Sequence, residues 1–279
     1  MKRPTIIHII SITLMAILVC SCTSRPEQTD NRPVAAVTTS YLECCLKDAA
    51  GDHFKTARLI PPGLCPGHFD VSPKMIEDIR KSSILLRFEF QDSLDDKISH
   101  LSKESLVITG IKAPEGLSIP DSYLYCLKQL EVALKMRFPE KSGEFDIHIE
   151  EAEKRLENLG EECLKKISNA GLKGEKVIAS GHQAEFCGWL GLNVTAAYSG
   201  AGATTPSDLK KIIDQGKESG VSYIIANRQE GGGMAEALAQ KLGAEIVVFS
   251  NFPEMSPEED SFFELVQNNV QNLVSKHHN

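Results

Sequence analysis

Four short segments place side chains that can bind metals at points where a predicted strand ends and a helix begins. They are Cys65-Pro66-Gly67-His68, Pro114-Glu115, Ser180-Gly181-His182 and Glu258-Glu259-Asp260. Ligands of α/β proteins bind at such strand ends. Neutral imidazole and carboxylate groups are good zinc ligands, and they also suit manganese or ferrous iron. The residue types therefore indicate chemistry suited to a divalent transition metal.

Each of these residues also has an ordinary structural explanation. His68 follows a Pro-Gly turn, where a histidine is often a loop residue or a helix cap. Asp260 precedes Ser261 at a predicted helix start, so N-capping alone would account for it. Glu115 is compatible with a solvated loop carboxylate, and Cys65 with either a thiolate ligand or half of a disulfide. Residue type and spacing leave these alternatives open.

Motifs of catalysis and of nucleotide binding have little support in the chain. A metal-dependent hydrolase needs an open coordination position and a general base, and the sequence contains no HExxH motif. The absence of a CxxC pair gives no support to a zinc ribbon or a thioredoxin-type centre. Gly231-Gly232-Gly233 could cradle a phosphate at a helix start. No Lys or Ser/Thr follows in Walker spacing, so a tight turn between strand and helix is favoured.

Short apolar runs alternate with helical stretches along the chain, which is the pattern of parallel sheets with crossover helices. The predicted strands cover residues 34–38, 57–60, 84–88, 106–109, 176–179, 193–197, 222–226 and 245–249. A chain of this length forms one large domain or two lobes. We predict an α/β fold of two lobes, each with a parallel sheet, joined by one long helix.

Residues 144–170 carry the strongest helical periodicity in the chain. Apolar residues recur there at steps of three and four positions: Phe145, Ile149, Ala152, Leu156, Leu159, Cys163 and Ile167. This pattern predicts an amphipathic helix of roughly seven turns. We expect residues 143–171 to link an N-terminal lobe, residues 34–142, to a C-terminal lobe, residues 172–279.

The N-terminus has the organisation of an export signal. Lys2 and Arg3 precede an apolar run that is too short for a stable membrane span. The run ends in Val19-Cys20-Ser21-Cys22, which resembles the lipobox of bacterial lipoproteins with Cys22 as the acylated residue. Cleavage before Cys20 and an ordinary signal with a chance cysteine are the alternatives. We predict a signal peptide at 1–21, a polar tether at 22–33, and a lipid-anchored extracytoplasmic protein, periplasmic or on the cell surface.

Charge and cysteine content limit the partners and the redox state. The full chain has 30 basic and 38 acidic residues, and loss of Lys2 and Arg3 with the signal leaves a net charge of −10. This balance argues against nucleic acid or an anionic membrane surface as a partner. Of the eight cysteines, six lie beyond Cys22. They predict one or more disulfides in an oxidising compartment, or thiols throughout if the source lives without oxygen.

Much of the mature chain resembles the zinc- and manganese-binding lipoproteins of ABC importers. The segment IASGHQAEFCGWLGLNV resembles the part of that family that carries its third ligand, here His182. The segment EEDSFFELVQNN resembles the part with its fourth ligand, here Asp260. Pro73 followed by KMIEDIRKSSILL resembles the helix after its first ligand, here His68, with a slightly shorter loop. At the second position, where the family has a histidine, the spacing places Glu115.

The resemblance implies two α/β lobes joined by a rigid helix, with a metal between them. It implies His68, Glu115, His182 and Asp260 as ligands of zinc or manganese, the metal being the transported ligand. The protein would be a monomer that delivers this metal to an ABC permease, and it would not be an enzyme. The alternatives are a structural or adhesin-like lipoprotein with a degenerate metal site, which the replacement at Glu115 favours, and an extracytoplasmic metal-dependent enzyme.

Overall fold

Two four-stranded parallel sheets organise the chain, in a computed structural model that describes residues 30–67, 69–99, 105–200 and 204–277. The first sheet has the order β2-β1-β3-β4 and comprises β1 (Val34–Val37), β2 (Lys55–Arg58), β3 (Ile84–Phe88) and β4 (Val107–Ile111). The second has the order β6-β5-β7-β8 and comprises β5 (Lys176–Ser180), β6 (Asn193–Tyr198), β7 (Tyr223–Asn227) and β8 (Glu245–Phe249). The predicted fold class is confirmed.

Helices connect the strands and cover the sheets. Those in the described ranges are α1 (Ser40–Ala50), α2 (Pro73–Lys81), α3 (Ser93–Ile98), α4 (Pro120–Arg137), α5 (Ser142–Asn169), α6 (Gly181–Trp189), α7 (Pro206–Ser219), α8 (Gly233–Leu242) and α9 (Phe262–His277). Single turns of 3₁₀ helix occur at Gly51–His53, Glu89–Gln91, Pro139–Lys141 and Arg228–Glu230. None of the described helices has both the length and the apolar composition of a membrane span.

The central strands are mostly apolar because helices cover both faces of each sheet. All residues of β7, with the sequence YIIAN, are buried. The edge strand β2 differs most from its prediction, since its regular part starts two residues earlier than the apolar run. Leu59 and Ile60 still donate hydrogen bonds to the carbonyls of Val37 and Thr38, so the apolar run continues the pairing beyond the regular strand.

The long helix predicted for residues 144–170 is α5, a single helix of 28 residues. At 1.5 Å per residue it is about 42 Å long. Its buried residues are the seven whose spacing predicted the helix, from Phe145 to Ile167. The periodicity therefore identified both the helix and the face that it buries.

One hydrophobic core connects the two sheets through α5. The core cluster reaches from Ala35 of β1 to Val247 of β8 and includes the buried face of α5. The C-terminal helix α9 also packs against the first half of the chain, where Phe262 stacks on Tyr123 with ring centroids 3.9 Å apart. The same helix holds the second sheet, because Asn269 donates from Nδ2 to the Ser250 carbonyl at 2.8 Å.

The buried cysteines form no disulfide, and they are Cys44, Cys45, Cys126, Cys163 and Cys187. Cys65 is exposed. Burial raises the pKa of Cys126 to about 12 and that of Cys163 to about 11, so both thiols stay protonated at neutral pH. Of the two predicted alternatives, these five buried cysteines have the thiol form. The predicted signal peptide, Cys22 and most of the tether lie outside the described residues.

Candidate metal centre

The loops at the carboxyl ends of both sheets enclose one cavity with a volume of about 600 Å³. Each sheet reverses its strand order at a central pair, β1/β3 and β5/β7, and such switch points are where α/β sheets bind ligands. The first sheet supplies Cys65, Pro66, Gly67, Phe90, Ala113, Pro114, Glu115, Gly116 and Leu117 to the cavity wall. The second supplies Gly181, His182, Glu185, Asn227, Gln229, Glu230, Asn251 and Phe252.

His182 enters the cavity from the first turn of α6. The hydroxyl of Ser180, the N-cap residue, accepts a hydrogen bond from the His182 backbone N–H at 3.2 Å. A cap of this kind fixes the first helical turn. The His182 side chain is 66% exposed, so its imidazole is accessible from the cavity. The structure thus places this predicted ligand where a metal can reach it.

Glu230 is the carboxylate that faces His182. Its Oε1 lies 3.7 Å from the His182 Nε2, and its side chain is only 17% exposed. The Ser180 hydroxyl donates a hydrogen bond to the other oxygen, Oε2. The sequence analysis did not select Glu230. The sequence feature that could have identified Glu230 is its position three residues after β7, at the same sheet edge as His182.

A network of buried amides holds the strand ends of the second sheet. Gln183 is fully buried and donates from Nε2 to the Asn227 Oδ1 at 3.0 Å and to the Asn251 Oδ1 at 3.1 Å. Asn251 also accepts from the Ser118 hydroxyl at 3.3 Å, and its Nδ2 donates to the His182 carbonyl at 3.4 Å. Because Ser118 belongs to the first half of the chain, this network joins the two walls of the cavity.

Glu115 lies on the opposite wall, in the loop after β4. It is exposed, and its carbonyl accepts a hydrogen bond from the Ser122 hydroxyl at 2.9 Å. The next residue, Gly116, has a φ of +64°, and a Cβ there would approach the Ile119 Cδ1 to 2.5 Å. The loop therefore requires glycine at this point. Glu115 and His182, predicted from different segments, border the same cavity.

Cys65 borders the cavity in the segment that leads to His68. Buried Gln91 fixes this segment, since its Nε2 donates to the Pro66 carbonyl at 2.9 Å. The same side chain accepts at Oε1 from the Thr38 hydroxyl at 2.7 Å. His68 itself lies outside the described residues. Its chain neighbour Gly67 borders the cavity.

The structure does not bring Asp260 to the cavity. This residue is exposed, and its backbone N–H donates to the Glu264 Oε2 at 2.7 Å at the start of α9. The chain passes the cavity directly after β8, at Asn251 and Phe252. Asp260 lies eight positions beyond Phe252 in the chain. The segment EEDSFFELVQNN resembles a ligand-bearing motif, but its Asp260 lies at a helix start and not at a strand end.

No group of three or more His, Cys, Asp or Glu side chains is close enough to hold a metal ion within the described ranges, which exclude His68. His182 and Glu230 form a pair, and Glu115 stands on the other wall. The described donors are one imidazole and carboxylates around a cavity open to solvent. This donor set fits a divalent transition metal better than an alkali metal or an anion.

Comparison with known proteins identifies the family to which this chain belongs. The family model described as zinc-uptake complex component A, periplasmic, matches residues 36–276. Because the match spans nearly the whole described chain, the protein belongs to this family. The resemblance found in the sequence is confirmed. A search of proteins with curated functions gave no significant match.

Solved structures of the same fold are distant in sequence. The Mn-bound periplasmic metal-binding protein from Candidatus Liberibacter asiaticus aligns with a TM-score of 0.72 at 12% identity, over 88% of this chain and 100% of that one. ZnuA aligns with a TM-score of 0.72 at 15% identity, over 88% and 99%. A zinc-bound deletion mutant of ZnuA gives 0.73 at 15% identity, over 88% and 97%. At these identities the similarity establishes the shared fold.

Proposed function

We propose that this protein captures a divalent transition metal, zinc or manganese, outside the cytoplasm and delivers it to an ABC import permease. The observation that carries the proposal is the cavity between the carboxyl ends of the two sheets, with His182 on one wall and Glu115 on the other. Membership of the zinc-uptake family and the metal-bound proteins of the same fold support it.

The ligand chemistry favours reversible capture over catalysis. Imidazole and carboxylate bind zinc at about 2.0–2.2 Å, and carboxylates offset the charge of the ion as it leaves water. We infer that His68, next to the cavity-lining Gly67, adds a second imidazole. Zinc should bind such a site more tightly than manganese at equal availability. A site whose positions are filled by protein ligands leaves none for the activated water of a hydrolase, so we assign no enzymatic activity.

The domain assignment explains how the site would close. We infer that residues 143–171 form a rigid link between lobes 34–142 and 172–279, and that the monomer closes by small rocking movements. The core cluster that runs through α5 supports this inference, because hinge motion would have to break packed apolar contacts. Small-angle scattering should show nearly equal radii of gyration with and without zinc, and a change typical of large domain rotation would refute it.

Cys22 would carry the lipid that holds the protein at the membrane. Ser21 supplies the small residue expected before the cleavage site, and the polar residues up to 33 supply a tether. Mass spectrometry of the mature N-terminus should find an acylated Cys22. Replacement of Cys22 with Ser should release soluble protein, and an unmodified Cys22 in the native protein would contradict the anchor.

Metal titration of protein stripped with a chelator tests the capture function. Zinc at a hundredfold excess over its dissociation constant should stabilise the folded state by about 2.7 kcal/mol. His182→Ala should remove most of the zinc-induced rise in melting temperature, because it deletes a ligand at an exposed position. Glu115→Gln should reduce the zinc-induced rise in melting temperature, because it removes the negative charge and keeps the size of the side chain.

His53→Ala is the matched control, since His53 packs on Phe54 and Phe138 and does not border the cavity. It should lower the melting temperature of the metal-free protein but keep the zinc-induced rise. If neither zinc nor manganese changes the melting temperature of the wild-type protein, metal capture fails and the structural lipoprotein takes its place.

A further inference from the structure

We infer that Glu230 is the metal-binding carboxylate of the second sheet and that it forms one half of a two-ligand clamp with His182. This assignment rests on the proposed function and adds a ligand that the sequence motifs do not indicate. It also places the carboxylate on the loop after β7, directly beside the His182 helix, instead of at Asp260.

The separation of the two side chains suits a shared ion. Two ligand atoms at about 2.1 Å from a tetrahedral zinc lie roughly 3.4 Å apart. The Glu230 Oε1 and the His182 Nε2 are 3.7 Å apart, which is too long for a good hydrogen bond between them. A movement of a few tenths of an ångström would let both atoms coordinate one ion.

The Ser180 hydroxyl orients both ligands. It donates a hydrogen bond to the Glu230 Oε2 and accepts one from the His182 backbone N–H. The donated bond occupies one carboxylate oxygen and leaves Oε1, the oxygen nearer His182, for the ion. An outer partner that fixes the direction of a ligand in this way is typical of metal sites.

No lysine or arginine pairs with Glu230 in the described residues. The carboxylate faces only His182 in this way there, at 3.7 Å. The nearest basic residue in sequence, Arg228, pairs with Glu254 instead. A divalent cation between Glu230 and His182 would supply a positive partner for the carboxylate.

The neighbouring Asn251 does not compete for this role. Its Oδ1 already accepts from Gln183 and Ser118, and its Nδ2 donates to the His182 carbonyl. These bonds occupy both ends of the amide. Asn251 supports the loop that carries His182, and the carboxylate beside that loop is Glu230.

Zinc titration of three charge-removing variants tests the assignment. Glu230→Gln keeps the size of the side chain and should weaken zinc binding at least about tenfold. Glu218→Gln is the matched control, because Glu218 is an exposed carboxylate in the second half of the chain that does not border the cavity. It should change affinity by less than about threefold, since the charge is screened by solvent. Asp260→Asn should behave like the control.

Zinc affinity in Glu230→Gln within threefold of the wild type would overturn the assignment, and so would a large loss in Asp260→Asn alone. If the wild-type protein binds neither zinc nor manganese, the proposed function is wrong, and the assignment of Glu230 as a metal ligand is wrong with it. A crystal structure of the zinc-bound wild-type protein decides the matter even if Glu230→Gln does not fold. The Glu230 Oε1 should then lie about 2.0–2.2 Å from the ion, and a Glu230 carboxylate outside coordination distance would refute the clamp.

Discussion

The two sheets have the same strand order, but their carboxyl ends differ in chemistry. The first sheet brings mainly apolar side chains to the cavity, such as Phe90, Ala113 and Leu117, with Glu115 as its one acidic residue among the described ones. The second brings His182, Glu230 and several amides. One topology thus supports two different walls. Under the proposed function, the second wall would hold the metal in a fixed polar frame, and the first wall would add Glu115 within an apolar cover.

Each half uses a buried glutamine to fix its wall, and the two glutamines differ in how well they are satisfied. Gln91 in the first half bonds Thr38, the Phe88 backbone N–H and the Pro66 carbonyl. Gln183 in the second half donates to two asparagines, but its Oε1 has no hydrogen-bond partner in the described residues. The first glutamine therefore holds backbone groups as well as a hydroxyl, while the second orders the asparagines beside His182 and leaves one acceptor unsatisfied.

The largest expected effect tests whether the two halves are energetically separate. Leu156 is 2% exposed at the middle of α5, in the core that both sheets share. Leu156→Ala should lower the free energy of unfolding by about 2–5 kcal/mol because it leaves a cavity in that core. Chemical denaturation followed by circular dichroism should still show one transition. Two separated transitions would contradict a shared core. The control is Glu157→Ala at an exposed position of the same helix, which should change the free energy of unfolding by less than about 0.5 kcal/mol.

The two glutamines give an intermediate effect that sharpens the contrast between the walls. Gln91→Met leaves a buried hydroxyl and a buried N–H without their acceptor, whereas Gln183→Met also removes an acceptor that was already unsatisfied. We expect Gln91→Met to lower the free energy of unfolding by about 1–3 kcal/mol more than Gln183→Met does. Urea denaturation of the metal-free variants measures this difference. If the two variants lose equal amounts of unfolding free energy, or Gln183→Met loses more, the proposed difference in hydrogen bonding between the two walls is wrong.

The smallest effect gives the first half a pH signature. Burial raises the pKa of Asp48, although Tyr123 donates to its Oδ2 at 2.6 Å and Arg155 lies 3.5 Å from its Oδ1. The folded state therefore holds this proton more tightly than the unfolded state, whose pKa is about 3.9. Below the unfolded-state pKa, the protonated Asp48 contributes its full share to the stability of the folded state. This contribution is lost as the pH rises through the pKa of Asp48 in the folded state.

Asp48→Asn removes this titration. The stability of the variant relative to the wild type should increase as the pH is raised from about 4 to 7. Thermal unfolding across that range measures it, and a constant difference between the two proteins would contradict the raised pKa.

Local patterns predicted most of the fold because they act over short distances. The steps of three and four residues from Phe145 to Ile167 predicted α5 and its buried face. The apolar runs predicted all eight strands, with shifts of one or two residues at several ends. Helix α3 was not predicted, since Ser93–Ile98 is short and mostly polar. A helix of six residues depends on tertiary packing more than on its own propensity.

The sequence by itself determined the two α/β halves, the long helix between them, the acidic charge, and His182 with Glu115 as residues at strand ends. Only the tertiary structure decided which side chains meet. Glu230 and Ser180 are fifty positions apart in the chain, yet β5 and β7 are neighbours in the sheet and bring their ends together. Asp260 matches a motif, but its place at the start of α9 keeps it out of the cavity. Strand order fixes such distances, and strand order arises from pairing between segments that no local pattern encodes.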